Sequence, residues 1–308
     1  MQFLQNLYGG SMRETRISRE SLTASYQNQE KRKSGFQHQK ERLAYLLSRF
    51  PATYASCVAV LHNLPEMNVT SLLDLGAGPG TASLAAYALF SKLTSITCIE
   101  QDYEMACLGQ EIASFHKLPF TYLNQDLKTW HTDKKADLVM LSYVLGELDK
   151  QAQIKILEKA WHATEKALVI ISPGTSHLFS EFLSWREDLL NLGANLFAPC
   201  PQSLPCPMEN TKDWCHFKAR VERTKAMRYL KRGTQSYEDE PYSYLIFTRD
   251  KFEKKGVRIL LGPQKKSGHV NLTLCNGEKI VKKVIAKSHK DYKTITKLNG
   301  GDILPEEL

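Results

Sequence analysis

The 308-residue sequence contains no apolar run that approaches the roughly 20 residues needed to span a bilayer. Its first twenty residues lack the apolar core of a secretory signal and carry acidic residues, so they indicate neither a signal peptide nor a good transit peptide. Internal repeats and low-complexity tracts are also absent. From these absences we expect a cytoplasmic protein with no membrane partner, and we expect a monomer.

The cysteines lack the spacing of common metal motifs. Pairs two residues apart, as in zinc ribbons, and the tight runs of ferredoxins are absent among the seven cysteines. Cys200 and Cys206 lie instead in APCPQSLPCP, Cys215 lies in DWCHF, and Cys275 lies far downstream in LTLCNGE. Proline fixes φ and lacks an N–H, so the first segment is predicted to be a rigid, irregular loop. In a reducing compartment, spacing alone leaves a four-thiolate metal site and ordinary thiols equally open.

The basic charge of the chain is concentrated in its second half. The net charge is +8, and residues 211–235 and 251–308 contribute +6 and +7, so the remainder is negative. Lysines and arginines clustered in this way are typical of proteins that bind a polyanion, and RNA or a ribosome is the expected partner. A solvated basic surface is the alternative. The candidate RNA-binding residues are Arg220, Arg223, Arg228, Lys231, Lys282 and Lys283.

Strands that alternate with helices predict the fold. After two N-terminal helical stretches interrupted at Pro51, five apolar segments between residues 69 and 175 alternate with helical ones. This order is typical of a parallel, doubly wound α/β sheet. A basic helix is predicted over residues 215–233, and further strands follow it. The predicted parts are an N-terminal helical region (1–68), an α/β domain (69–250) with a cysteine loop (198–217), and a basic C-terminal β-unit (251–308).

A glycine-rich turn, LLDLGAGPGT, follows the first of these strands. Alternate glycines let the backbone approach a ligand, and Asp74 suits a cationic or hydroxylated one. An NAD fingerprint requires Gly or Ala where Thr81 stands, so S-adenosylmethionine fits better, with a cofactor-free structural turn as the alternative. In methyltransferases an acid at the end of the second strand binds the ribose hydroxyls, and Glu100 stands at that position. The adenine edge is read after the third strand, where Asp126 stands. The predicted cofactor residues are Asp74, Gly76, Gly78, Gly80, Glu100, Asp126 and Leu127.

No catalytic residue is identified. Many amino methylases of bases hold the exocyclic amine with an Asn/Asp-Pro-Pro-aromatic quartet, and LSYVLGEL stands in its place here. A nucleophile of the cytosine-methylase type would require Cys200 or Cys206, but two Pro-Cys pairs in one loop favour cluster ligation. The remaining candidates for contact with a methyl acceptor, with loop capping as the alternative, are Ser142, Tyr143, Glu147 and Ser172.

Blocks spread over residues 40–302 resemble one known family. LLDLGAGPG, APCPQSLPCP, DWCHF and GHVNLTLCNGE occur in the order found in methyltransferase-like factors of the small ribosomal subunit, of the methyltransferase-like protein 17 type. The family comprises mitochondrial small-subunit assembly proteins and bacterial relatives. The resemblance implies a Rossmann-like class I methyltransferase fold and association with small-subunit rRNA. It also implies a [4Fe–4S] cluster on Cys200, Cys206, Cys215 and Cys275, with zinc as the alternative metal.

The expected function follows from this resemblance. We expect an S-adenosylmethionine-dependent, methyltransferase-like protein that acts in ribosome assembly or translation. It would act either as an rRNA methyltransferase or as a scaffold that transfers no methyl group. Two positions depart from the family: Ser172 stands where relatives have Glu before Pro-Gly, and Gln202 where they have His. Neither departure touches a thiolate, but the missing acid at Ser172 weakens the case for catalysis.

Overall fold

The structure is a computed structural model that describes residues 11–27, 39–253 and 256–305. Part of the targeting prediction falls on residues 1–10, which lie outside the described residues. Helices precede the main sheet, and a proline occupies the first turn of the third, where its missing N–H costs no intrahelical hydrogen bond. These helices are α1 (Met12–Gln27), α2 (Gln39–Ser48) and α3 (Phe50–Leu61).

The main sheet contains the strands β1 (Ser71–Leu75), β2 (Ser95–Glu100), β3 (Phe120–Asn124), β4 (Ala136–Ser142), β5 (Thr164–Pro173), β6 (Asn195–Ala198), β7 (Phe217–Glu222) and β8 (Tyr237–Thr248). Their order is β3-β2-β1-β4-β5-β8-β6, and β7 also pairs with β8. Strands β1 to β5 run parallel, and β8 is antiparallel to β5, β6 and β7. The predicted doubly wound α/β sheet is therefore confirmed, with an antiparallel extension.

Helices cover both faces of this sheet, which explains why β4 is an almost uninterrupted run of buried apolar residues. On one face, α3 and α4 (Thr81–Leu89) pack against residues such as Leu72 and Met140. On the other face, α6 (Lys150–His162) and α7 (Phe179–Asn191) pack against residues such as Leu75 and Leu141. Within the described ranges, no helix combines the length and apolar character of a membrane span. The helix α5 (Tyr103–Phe115) also covers the sheet.

The strand order reverses between β1 and β4, which are neighbours in the sheet although β2 and β3 lie between them in sequence. Such a switch point opens a crevice at the carboxyl ends of the strands, where α/β proteins bind ligands. The turns after β1, β2 and β3 all lie at that edge. The fold therefore brings the predicted glycine turn, Glu100 and Asp126 to one end of the sheet.

A second, antiparallel sheet follows the main one. Its order is β11-β10-β9-β12, and alternate residues of β10, among them Val270, Leu272 and Leu274, point into its apolar core. The opposite face of β10 carries Thr273 and Cys275, and we call it the outer face of the C-terminal sheet, although the loop after β6 covers its Cys275 end. The strands are β9 (Val257–Lys266), β10 (His269–Cys275), β11 (Ile280–Ala286) and β12 (Ile303–Leu304), and α9 (Tyr292–Ile295) precedes the last.

The predicted basic helix over residues 215–233 is wrong in its first half. Phe217, Ala219 and Val221 are buried and alternate with charged residues, so this segment has the period of two of a strand, β7, which pairs with β8. Only α8 (Lys225–Lys231) is helical. The helix α1 was not predicted either, because its sequence is polar and weakly patterned.

Candidate functional site

The glycine turn lies between β1 and α4. Gly76, Gly78 and Gly80 have φ of +73°, +53° and +81°, in the left-handed region that favours glycine. A Cβ at Gly76 would lie 2.5 Å from Cγ2 of Val144, and a Cβ at Gly80 would lie 2.5 Å from the Tyr122 hydroxyl. A Cβ at Gly78 would meet nothing within 4 Å. The turn is therefore packed at its two ends and open at Gly78, where a ligand can approach the backbone.

Asp74 stands behind this turn. It is fully buried, and its Oδ2 accepts hydrogen bonds from the Ser83 N–H (3.1 Å) and the Ser83 hydroxyl (2.7 Å) in the first turn of α4. Burial raises the pKa of Asp74 to about 6. The structure thus gives Asp74 a supporting role, and not the direct ligand contact that its place in the motif predicted.

Glu100 ends β2 and faces the same turn. Its Oε2 accepts a hydrogen bond from the Gly78 N–H (2.7 Å), and its Oε1 accepts one from the Asp102 N–H (2.8 Å). Burial raises the pKa of Glu100 above its ordinary value, and these two donors oppose the rise. An ionised carboxylate has about four lone-pair positions. Glu100 therefore retains acceptor capacity for the hydroxyls of a ligand.

Asp126 and Leu127 follow β3 in a compact turn. The Asp126 carbonyl oxygen accepts hydrogen bonds from Thr129 and Trp130, and its Oδ1 accepts one from the Lys128 N–H at 2.9 Å. Leu127 is buried in the core beside Trp130. The turn holds Asp126 at the same sheet edge as Glu100, because parallel strands end together.

The candidate acceptor residues at the ends of β4 and β5 contact other parts of the chain. Tyr143 has φ of +61°, and its hydroxyl lies 2.9 Å from Ser56 Oγ on α3. Ser142 Oγ lies 3.4 Å from Cys57 Sγ on the same helix. Ser172 Oγ is buried and has no hydrogen-bond partner within the described residues. Helix α3 therefore covers the end of β4, where a methyl acceptor would be expected.

All four predicted cluster cysteines line one apolar pocket. Cys200 and Cys206 come from the irregular loop after β6, Cys215 lies just before β7, and Cys275 ends β10. Phe179 and Phe182 of α7 line the same pocket, and no disulfide joins the cysteines within the described residues. We call this the four-cysteine pocket. It joins the loop of the main domain to the C-terminal sheet.

A backbone N–H group is directed at one of the four sulfurs. The Gly277 N–H donates to Cys275 Sγ at 3.4 Å. Beside Cys206, the Glu209 N–H donates to the Cys206 carbonyl oxygen at 2.9 Å. A donor to sulfur stabilises negative charge there, and hydrogen bonds of this kind help to set the potentials of iron–sulfur clusters. The Gly277 N–H therefore opposes the rise that burial causes in the pKa of Cys275.

Burial governs the charge of the thiols themselves. Burial raises the pKa of Cys206 and of Cys275, and burial together with the other three cysteines raises the pKa of Cys215 well above its ordinary value. A metal bound here would have to displace protons from these thiols. Across residues 11–27, 39–253 and 256–305, no group of three Cys, His, Asp or Glu side chains is arranged around a single ion.

Two buried arginines that sequence reasoning missed also line this pocket. Arg186 on α7 and Arg258 on β9 are 3% and 5% exposed. Arg186 Nη2 donates to the Leu204 carbonyl at 2.6 Å, and Arg258 Nε donates to the Pro199 carbonyl at 2.8 Å. An arginine set in an apolar segment, as in GVRILL, was the available signal.

The basic residues around α8 are engaged within the protein. Glu238 Oε2 accepts hydrogen bonds from Arg223 Nε (3.0 Å) and Nη2 (2.9 Å), and its Oε1 accepts one from Lys231. All three side chains are less than one fifth exposed. Arg220 is more exposed and pairs with Asp239 at 2.8 Å. These arginines and this lysine stabilise the fold, which leaves them less available to a polyanion than the sequence predicted.

The remaining basic candidates differ in accessibility. Arg228 is half-buried on α8, and its Nε is buried. Lys282 is exposed on β11 opposite Thr273, on the outer face of the C-terminal sheet. Lys283 is half-buried on the other face, opposite Leu272. Neither lysine forms an ion pair with any described residue, whereas the exposed Arg220 pairs with Asp239, so Lys282 is an exposed candidate that has no ion pair in the described chain.

Comparison with solved structures returns methyltransferases. The chain resembles an O-methyltransferase family protein from Burkholderia thailandensis (13% identity, 77% of this chain and 72% of that one, TM-score 0.47). It also resembles the magnesium protoporphyrin IX methyltransferase of Synechocystis, solved with bound S-adenosylhomocysteine (15% identity, 77% of this chain and 100% of that one, TM-score 0.43).

Comparison by sequence returns mitochondrial proteins. The human "Ribosome assembly protein METTL17, mitochondrial" is 24% identical over 291 residues, covering 85% of this chain and 62% of the relative. The "Rsm22-cox11 tandem protein 2, mitochondrial" of Schizosaccharomyces pombe is 26% identical over 326 residues, covering 86% of this chain and 43% of the relative. The chain thus spans less than two thirds of the length of these relatives.

These matches correct the expected localisation and identify the family of the chain. The expectation of a cytoplasmic protein is wrong, because the matched relatives are mitochondrial and the composition of the first residues is a weak guide to targeting. A family model described as "Mitochondrial small ribosomal subunit Rsm22" matches residues 39–305, which include the glycine turn and all four pocket cysteines. The chain therefore belongs to the Rsm22 family of mitochondrial small ribosomal subunit proteins.

Proposed function

We propose that this protein assists assembly of the mitochondrial small ribosomal subunit as an RNA-binding protein of methyltransferase fold. It would bind S-adenosylmethionine at the glycine turn and a [4Fe–4S] cluster on Cys200, Cys206, Cys215 and Cys275. One observation carries this proposal: four thiols from distant segments line a single pocket. The membership of the Rsm22 family supports the ribosomal partner.

The four thiols of the pocket suit a thiolate-ligated metal centre, for which we propose a [4Fe–4S] cluster with zinc as the alternative. Four thiolates around Zn²⁺, with Zn–S distances of about 2.3 Å, would have their sulfurs about 3.8 Å apart. The N–H donor at Cys275 suits a ligating thiolate. Within the described chain no group of three Cys, His, Asp or Glu side chains is preformed to hold a metal ion, so binding would have to draw the four sulfurs together. When bound, the cluster supplies one-electron chemistry and a link between the loop and the C-terminal sheet.

The crevice also fits the proposed nucleoside cofactor. Gly78 leaves room for a ligand against the backbone, and Glu100 retains acceptor capacity for the two ribose hydroxyls. Asp126 would read the adenine edge, whereas the Leu127 side chain is buried beside Trp130 and would support this turn from the core. Gly76 and Gly80 are packed against Val144 and Tyr122, so they set the shape of the turn.

A scaffold that binds the cofactor without methyl transfer is the second candidate function. The contacts of Tyr143 with Ser56 and of Ser142 with Cys57 favour it, because α3 occupies the acceptor side of the crevice. Calorimetric titration with S-adenosylmethionine and transfer of a labelled methyl group to small-subunit rRNA separate the two. Binding with transfer supports the enzyme, binding without transfer supports the scaffold, and no binding contradicts the cofactor proposal.

RNA binding is proposed for the outer face of the C-terminal sheet, where Lys266 and Lys282 are exposed. The test measures the affinity for a small-subunit rRNA fragment against salt. Reversing both lysines to glutamate should lower affinity and reduce the log–log salt slope by about 2. Reversal of Lys134 and Lys150, which are exposed elsewhere, is the matched control. Salt-independent binding, or equal losses in both variants, would refute this placement.

The ribosomal role has its own test. Tagged protein in intact mitochondria should sediment with small-subunit precursors, and its depletion should reduce mature small subunits while large subunits persist. Sedimentation only with free protein, with normal small-subunit levels after depletion, would contradict the assembly role.

A further inference from the structure

The two buried arginines of the four-cysteine pocket lack adequate carboxylate partners. Arg258 forms no ion pair with any described residue; its Nη1 donates to the Gly301 carbonyl (2.6 Å) and to Asn63 Oδ1 (3.2 Å). The one carboxylate near Arg186 is Glu187, at 3.7 Å and with an exposed side chain. Arg186 Nε is buried without a hydrogen-bond partner. A guanidinium buried without compensating charge is unfavourable, so both arginines require an anionic neighbour.

The four-cysteine pocket is where that negative charge would be. Arg258 is the cross-strand partner of Cys275, and Arg186 approaches Cys206 from α7. A [4Fe–4S]²⁺ core with four thiolates has a net charge of about −2, which two guanidinium groups balance.

We propose that Arg186 and Arg258 are the counter-cations of the four-thiolate cluster and that they set its reduction potential as well as its retention. This inference rests on the proposed cluster. Each arginine also holds the loop backbone next to a ligand: Arg258 binds the carbonyl of Pro199, which precedes Cys200, and Arg186 binds that of Leu204. Both are therefore positioning residues that act on the cluster through charge and through the loop.

The reduction potential of the cluster tests whether the two arginines act on it. One electron from dithionite converts [4Fe–4S]²⁺ to [4Fe–4S]⁺ and adds one negative charge to the pocket. A neighbouring cation stabilises the reduced form, so its removal should disfavour reduction. We expect Arg258→Gln to lower the equilibrium constant for reduction about tenfold, which is about 59 mV for one electron. Arg186→Gln should shift it in the same direction.

The experiment compares five variants of the full-length, anaerobically purified protein. These are Arg258→Gln, Arg258→Lys, Arg186→Gln, Arg186→Lys and the control Arg249→Gln, whose arginine binds the Thr164 and Trp161 carbonyls away from the pocket. Iron and sulfide are measured first, followed by a redox titration monitored by visible absorption and electron paramagnetic resonance. The lysine variants keep the charge and should retain more cluster, with smaller shifts, than the glutamine variants.

The outcomes separate this inference from the cluster itself. A lower potential or lost iron in the glutamine variants, with retention in the lysine and Arg249 variants, supports the counter-cation role. Wild-type potentials in both glutamine variants would overturn it while leaving the cluster intact. Equal loss of iron from lysine and glutamine variants would also overturn it, because the loop anchor alone would then explain the effect. A wild-type protein without iron would overturn the cluster and the counter-cation role together.

Discussion

The glycine-turn crevice and the four-cysteine pocket satisfy their polar groups in opposite ways. In the crevice, Asp74 is held by Ser83, and Glu100 accepts hydrogen bonds from two backbone N–H groups. In the pocket, Arg258 has no carboxylate partner among the described residues. In the described part of the chain, the crevice therefore holds its two carboxylates with donors of the same chain, although Asp74 Oδ1 is buried without a partner, whereas the pocket lacks an anionic group for its arginines. A ligand should therefore add less to the stability of the first site than to that of the second.

Removing each ligand should produce the largest difference in stability between the two sites. Stripping the metal anaerobically should lower the free energy of unfolding by several kcal/mol, because metal binding is coupled to the folding of the residues that hold it. Withdrawing S-adenosylmethionine from roughly 100 times its Kd should cost about 3 kcal/mol. Denaturant unfolding of the loaded, metal-free and cofactor-free forms checks this order, and a larger effect of the cofactor would reverse the account.

Alanine variants of two glycines in the same turn should distinguish the packed end of the crevice from its open part. Gly76→Ala should lower the free energy of unfolding by about 3 kcal/mol, because its Cβ collides with Val144 in a left-handed conformation. Gly78→Ala has open space and should cost about 1 kcal/mol, but it should weaken S-adenosylmethionine binding at least tenfold. Denaturant unfolding and calorimetry measure the two effects. Equal stability of both variants would contradict the packing, and unchanged affinity in Gly78→Ala would contradict the placement of the cofactor.

The buried Asp74 should produce an effect that depends on pH. The folded pKa of about 6 lies above the ordinary value of 3.8, so the folded state binds this proton more tightly than the unfolded state does. Its contribution to stability is present below about pH 4 and is lost as the pH rises through about 6, a change of at most about 3 kcal/mol. The difference in unfolding free energy between the wild type and Asp74→Asn should follow this curve. A flat difference between pH 4 and 7 would contradict it.

Local patterns made much of the fold predictable. The five parallel strands, the glycine turn and Glu100 could be placed because each rests on a short segment whose apolar run and turn residues agree. The same local reasoning failed over residues 217–222, where the alternation of Phe217, Ala219 and Val221 with charged residues indicates a strand and not the first half of a helix. Charge also misled the assignment of Arg223 and Lys231, because their partner Glu238 lies on a different element.

The four-cysteine pocket could not be derived from spacing. Cys275 joins the other three only because a separate antiparallel sheet returns to the loop after β6, and nothing local to LTLCNGE signals that return. The resemblance to a family supplied the ligand set, and the structure brings those four residues to one pocket. The sequence does not indicate a role for Arg186 or Arg258, because each is a single charge whose role depends on neighbours that are distant in sequence.

Metal analysis tests whether the four-cysteine pocket holds a [4Fe–4S] cluster. We would measure the iron, acid-labile sulfide and zinc content of anaerobically purified protein and record its visible spectrum. Cys275→Ser is the test variant, and Cys107→Ser, a partly exposed cysteine on α5, is the matched control. We predict about four irons and four sulfides per chain in the wild type and the control, and loss of both in Cys275→Ser. Stoichiometric zinc, no metal at all, or a full cluster in Cys275→Ser would contradict the account.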